Sequence, residues 1–114
     1  MKSDESDWAW FAGLFEGEGS ISFRGKNSVS LYIGSTDQDV LQRVRSIVGG
    51  NVGGPYKHRD RLTSKPYFQW RLYQQNMVEQ AIERIKPYLL TRRSTRLSEA
   101  QQRLDHIRPN KGQA

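Results

Sequence analysis

The chain has 114 residues, 18 Lys and Arg against 12 Asp and Glu for a net charge of +6, and no cysteine. That length suits one compact domain rather than two, and the lack of cysteine excludes a disulfide framework and a thiolate metal site and suits a reducing compartment. No apolar run is long enough to cross a membrane as a helix, and the opening MKSDESD is acidic and polar, without secretory or transit character.

In chain order, Ser6 or Asp7 can cap a first helix that ends at about Glu16. Trp8, Phe11 and Phe15 share one face of it and are candidate core residues. Ala9, Gly13 and Gly17 recur at i, i+4 and i+8 on another face, bare enough for a second backbone to approach closely. Polar and apolar residues alternate over 20–24 and 28–33, which predicts two strands joined by a turn at Gly25-Lys26-Asn27. Thr36 or Asp37 then caps a helix with Val40, Leu41, Val44, Ile47 and Val48 on its apolar face, ended by Gly49-Gly50. A glycine-rich passage leads to a third strand expected near 56–59, and a polar loop over 60–65 precedes a fourth over 67–73. A third helix over 76–86 breaks at Pro87, a last helix spans 92–107, and the tail over 108–114 reads as disordered.

The order αββαββα plus one further helix predicts an α+β fold: a single domain over 1–107, with a four-stranded antiparallel sheet and helices on one face. Ile21, Phe23, Val29, Leu31, Ile33, Phe68, Trp70 and Leu72 point to the helices. The opposite face carries Ser20, Ser22, Arg24, Ser28, Ser30, Tyr32, Gln69, Arg71 and Tyr73, polar and basic with few acids. Segments 19–35 and 55–75 hold seven basic residues, including Lys26, Lys57, Arg59 and Arg61, against the single acid Asp60. Such a surface fits the DNA major groove, where a β-ribbon can lie and base edges present distinct donor and acceptor patterns. Arg93 and Arg96, in a basic stretch nearer the C-terminus, are candidates for phosphate contacts. A solvated sheet face is the plain alternative. An RNA-binding four-stranded module is another, in which Tyr32 and Tyr73 would be stacking residues.

The stretch Phe11-Ala12-Gly13-Leu14-Phe15-Glu16-Gly17-Glu18-Gly19 resembles the signature of the LAGLIDADG homing endonucleases, with glutamates at two positions where aspartates are usual. The order of elements extends that resemblance over roughly residues 8 to 100. It implies a site-specific double-strand DNA endonuclease of the intron-homing kind. With one motif per chain, it implies a homodimer on a long near-palindromic site, paired through Ala9, Ala12, Gly13, Glu16 and Gly17. Such a protein would be cytoplasmic in a prokaryote or phage, or organellar, with no membrane and no small-molecule cofactor. It further implies Mg2+ or Mn2+ held by Glu18, helped by the Gly17 carbonyl, while Glu16 is structural.

Phosphodiester hydrolysis needs neutralised phosphate charge, an activated water and a stabilised leaving oxygen, all of which divalent cations supply. Magnesium takes hard oxygen ligands and keeps several waters, so one or two carboxylates suffice. Around such a centre the resemblance aligns Ser35, where some relatives have glutamine, and Arg92, where some have lysine. Asp39 stands where some relatives carry a basic residue, a departure that leaves room for a non-catalytic DNA- or RNA-binding relative, a maturase or regulator. His58 and His106 match no metal-ligand spacing.

Overall fold

The computed structural model describes residues 4–24, 28–57 and 65–107. The first helix, α1 (Glu5–Glu18), is capped by Asp4 rather than by Ser6 or Asp7. The Asp4 carboxylate accepts from the Asp7 backbone N–H at 2.9 Å, and the Asp7 carboxylate accepts from the Asp4 N–H at 3.3 Å. These reciprocal bonds satisfy two otherwise orphaned donors, and the Asp4 cap sets the helix start earlier than expected. At the other end the Gly19 N–H donates to the Phe15 carbonyl, so Gly17 and Glu18 lie inside the helix and not beyond it.

Strands β1 (Gly19–Arg24), β2 (Ser28–Ser35), β3 (Asn51–Tyr56) and β4 (Tyr67–Leu72) form one antiparallel sheet in the order β1-β2-β4-β3. Between the hairpins runs α2 (Gln38–Val48), and after them come α3 (Gln75–Ile85), a 3-10 turn (Lys86–Tyr88) and α4 (Thr91–Ile107). The expected third strand is displaced: it is the glycine-rich passage itself, starting at Asn51. Its sequence has poor strand propensity, but pairing with β4 and the packing of Val52 against the core outweigh that. Lys57 therefore follows β3 instead of lying within it, and Arg59 and Arg61 lie outside the described residues. Lys26, His58 and the tail 108–114 lie outside them too.

All four helices bury apolar residues in one core cluster with the inner face of the sheet. Phe11 is fully buried beneath Trp8, Phe15 and Trp70, with ring centroids 5.6 Å from Trp70 in an edge-on arrangement. Gly49 and Gly50, both at φ +93°, turn the chain from α2 into β3, a conformation that side chains disfavour. The carbonyl of Gly49 accepts the indole N–H of Trp70 at 2.7 Å, which satisfies the buried ring's one polar group.

The first turn of α3 is tied to the sheet by Gln75. Its amide oxygen accepts from the Val29 N–H at 3.0 Å, and its amide nitrogen donates to the Val29 carbonyl at 2.9 Å. A side chain thus pairs with β2 as a neighbouring strand would.

Candidate nucleic-acid interface and acidic helix end

Phe11, Ala12 and Phe15 are fully buried, whereas Ala9, Gly13 and Gly17 are exposed, with Trp10 and Leu14 half-buried beside them. A surface helix ordinarily turns charged residues outward; this strip of α1 is bare and apolar. Ala12, expected at the contact, lies on the Trp8–Phe15 side of the helix with its methyl group buried. A Cβ added at Gly13 or Gly17 would meet nothing within 4 Å, so packing within the protomer does not require either glycine.

Glu16 and Glu18 fall in the last turn of α1, which contains no basic residue. Both acids stand at the negative end of the helix dipole, an unfavourable placement that a cation relieves. Their surroundings differ. Glu16 is half-buried and accepts from the Leu90 N–H at 3.2 Å, which ties the lead-in of α4 to α1. Glu18 is exposed and lines a cavity with Tyr32, Gly34, Ser35, Asp37 and Tyr67.

Glu18 and Ser35, predicted on α1 and at the end of β2, are thus brought to one cavity. Asp37 joins them and was not anticipated as more than a helix cap. The Asp37 carboxylate makes no capping bond, and the Asp37 N–H donates to Ser35 Oγ at 3.0 Å. Asp39, the acidic departure, has its carboxylate on the neighbouring Val40 N–H at 3.0 Å. Arg92 and Arg93 stand in the first turn of α4, and their side chains lie outside the described residues.

A carboxylate pair suits a hard divalent cation in type, but no group of three or more His, Asp or Glu among the described residues could hold one.

The outer face of the sheet exposes or half-exposes Ser20, Ser22, Ser28, Ser30, Tyr32, Gln69, Arg71 and Tyr73. Arg24 pairs with Ser28 at the end of the first hairpin, and its side chain lies outside the described residues. Pairing aligns Ser20, Tyr32, Arg71 and Asn51 in one row across all four strands. The next row runs Gly34, Gln69 and Gly53. Asn51 was missed because the third strand was expected farther along the chain. Arg71 stands between two hollows, one lined by Ser20, Ser22, Ser30 and Tyr32, the other by Asn51, Gly53, Tyr56 and Gln69.

Arg96 belongs to neither hollow. Its guanidinium lies 4.2 Å from the Phe23 ring, which packs against the core, and 3.1 Å from Glu99. Lys57 is exposed at the end of β3.

The family model described as "LAGLIDADG-like domain" matches residues 5–86. No curated protein matches the chain. Among solved structures, the homing endonuclease I-CvuI in complex with a DNA target aligns at TM-score 0.68 and 20% identity, over 94% of this chain and 73% of that one. The homing endonuclease I-TnaI aligns at TM-score 0.69 and 16% identity, over 96% of this chain and 77% of that one. The meganuclease I-CpaMI bound to uncleaved DNA aligns at TM-score 0.69 and 21% identity, over 95% of this chain but 38% of its own longer chain.

Proposed function

Because the chain belongs to the LAGLIDADG-like domain family, we propose that it is a site-specific double-strand DNA endonuclease, a homodimer that uses Mg2+ or Mn2+ on a long near-palindromic site. One observation carries this reading. The exposed strip of α1, with two glycines that the protomer does not need, runs into Glu18 at the mouth of the cavity. Pairing two copies along that strip brings two Glu18 carboxylates and two negative helix ends together, a cluster that needs cations. The fraction of I-CpaMI that this chain spans is consistent with one longer chain doing the work of two such units.

In this mechanism Glu18, with the Gly17 carbonyl, would hold a divalent ion, which would lower the pKa of a bound water and neutralise phosphate charge. Asp37 adds negative charge to the same cavity, and Ser35 Oγ, already accepting from the Asp37 N–H, keeps its own proton to donate to a phosphate oxygen. Arg92 is the candidate for stabilising charge on the pentacovalent phosphate. As an arginine it stays protonated and cannot serve as a base. The outer face of the sheet positions the duplex, with Lys57 beside it for phosphate contact.

The test is cleavage of a plasmid library of random duplex inserts by the purified chain with Mg2+ and with EDTA. Linear product that requires the metal supports the endonuclease. Tight, sequence-selective binding without cleavage under either condition identifies a maturase or regulator. A chain that remains monomeric at micromolar concentration on DNA counts against the shared metal centre.

A further inference from the structure

We infer that Gln69 and Arg71 form one reading unit for two adjacent guanines, an inference that rests on the sheet face binding duplex DNA. Arg71 Nη2 donates to Gln69 Oε1 at 2.8 Å. A guanidinium has no acceptor, so only the oxygen of the amide can face it, and the orientation of Gln69 follows from that chemistry. With its oxygen held, Gln69 presents its NH2 group. Arg71 keeps the remaining donors of its fork. With one lone pair of the amide oxygen engaged and the guanidinium carrying no acceptor, the pair offers the groove mainly donors.

In the major groove guanine presents two acceptors, O6 and N7, and no donor, whereas adenine couples an acceptor to the N6 donor and cytosine presents a donor. A free glutamine suits adenine because it can accept and donate at once. A glutamine whose oxygen is committed to arginine loses that match and suits guanine instead. The spacing fits a single step. Residues two apart on a strand stand about 6.8 Å from each other, and the hydrogen bond at 2.8 Å draws the two side-chain ends closer together than that, which favours neighbouring base pairs over separated ones.

The neighbours preserve the arrangement. Gln69 is flanked across the sheet by Gly34 and Gly53, whose bare backbones leave room that the phenol oxygens of Tyr32 and Tyr56 reach into. Arg71 is braced by the ring of Tyr32, whose centroid lies 5.6 Å from the guanidinium carbon.

The experiment is selection of bound sites from a random duplex library, followed by affinity measurement on single-base variants. The wild-type chain is expected to select two adjacent G·C pairs in each half-site and to lose roughly 5- to 150-fold in affinity when either is replaced. Gln69→Ala should relax one of the two positions. Arg71→Ala should relax the other and, by releasing the amide, turn the Gln69 position toward adenine. Gln69→Glu keeps the bond to Arg71 but replaces the donor by an acceptor, so its position should turn toward cytosine while the Arg71 position stays guanine. This variant tests the inference even if Arg71→Ala folds poorly. Adenine selected at either position by the wild type, or an Arg71→Ala site unchanged at the Gln69 position, overturns the inference while leaving DNA binding intact. A chain that binds no duplex overturns the DNA-binding reading and this one with it.

Discussion

The backbone of Gly19 lies so close to the buried ring of Phe15 that a methyl group at residue 19 would overlap the ring carbons. Gly13 and Gly17, one and two turns into the same motif, meet nothing comparable. The signature thus holds glycines of two kinds: one yields space to the protomer's own core, and the others leave space outside it.

Gly19→Ala is therefore expected to cost about 1–3 kcal/mol, as overpacking does. Gly13→Ala should stabilise the dissociated protomer by about 1 kcal/mol through helix propensity, while weakening self-association. Urea unfolding at high dilution reads the first quantity, and sedimentation at micromolar concentration reads the second. A Gly13→Ala chain that dimerises as tightly as the wild type removes the α1 strip from the interface.

Glu18→Gln should abolish most cleavage and leave DNA binding equal or tighter, since a like charge beside the phosphates is gone. Glu16→Gln should instead lower stability by about 1–2 kcal/mol, because a neutral amide is a weaker acceptor for the Leu90 N–H. Residues two apart on a helix point about 200° apart, which is why the two acids have different surroundings. Single-turnover cleavage at saturating Mg2+, set beside thermal unfolding, distinguishes them. Wild-type cleavage by Glu18→Gln would show that another group carries the metal.

Gln75→Ala should destabilise the fold by about 1–3 kcal/mol, since it strips Val29 of both backbone partners on that side. Hydrogen exchange at the Val29 amide gives the local readout. Protection there should fall toward that of an open strand edge, and an unchanged rate would mean that water substitutes at no cost.

Tyr88 ties the 3-10 turn to α1 by donating its hydroxyl to the Glu5 carboxylate. That hydrogen bond, followed by desolvation and the Glu5 charge, raises the phenol above its ordinary pKa of 10.0, against a smaller opposing effect of Arg84. The folded state therefore favours the neutral phenol. Its contribution is complete below the unfolded value and disappears as pH rises through the higher folded one. Tyr88→Phe should remove this alkaline loss of stability, and the wild-type absorbance titration should contain one late tyrosinate that the variant lacks. If the tyrosinate that the variant lacks titrates together with the others instead of late, Tyr88 stands in free solvent.

Much of this architecture was legible because its periods are strong. Ile21, Val29, Leu31, Ile33, Trp70 and Leu72 alternate with polar residues, so the two sheet faces could be separated without coordinates. The third strand was not legible, since Gly53, Gly54 and Pro55 carry no alternation, and their strand conformation comes from the neighbour they pair with. The Asp4 cap was hidden among four polar residues that could each serve. At the acidic end, the motif singled out Glu18, but nothing local connects Asp37 or Tyr67 to it. Those two arrive through the sheet, as does the Gln69–Arg71 bond, which depends on side-chain direction rather than on spacing.

The placement of β3 has a consequence for how copies of this chain meet. It forms one border of the sheet, and a border strand offers its free N–H and C=O groups as a template for any other extended chain. Here that border runs through Gly53-Gly54-Pro55, where the pairing register already shifts and proline has no N–H to give. A second molecule approaching this border finds an interrupted ladder. Runaway side-by-side stacking is blunted at this border.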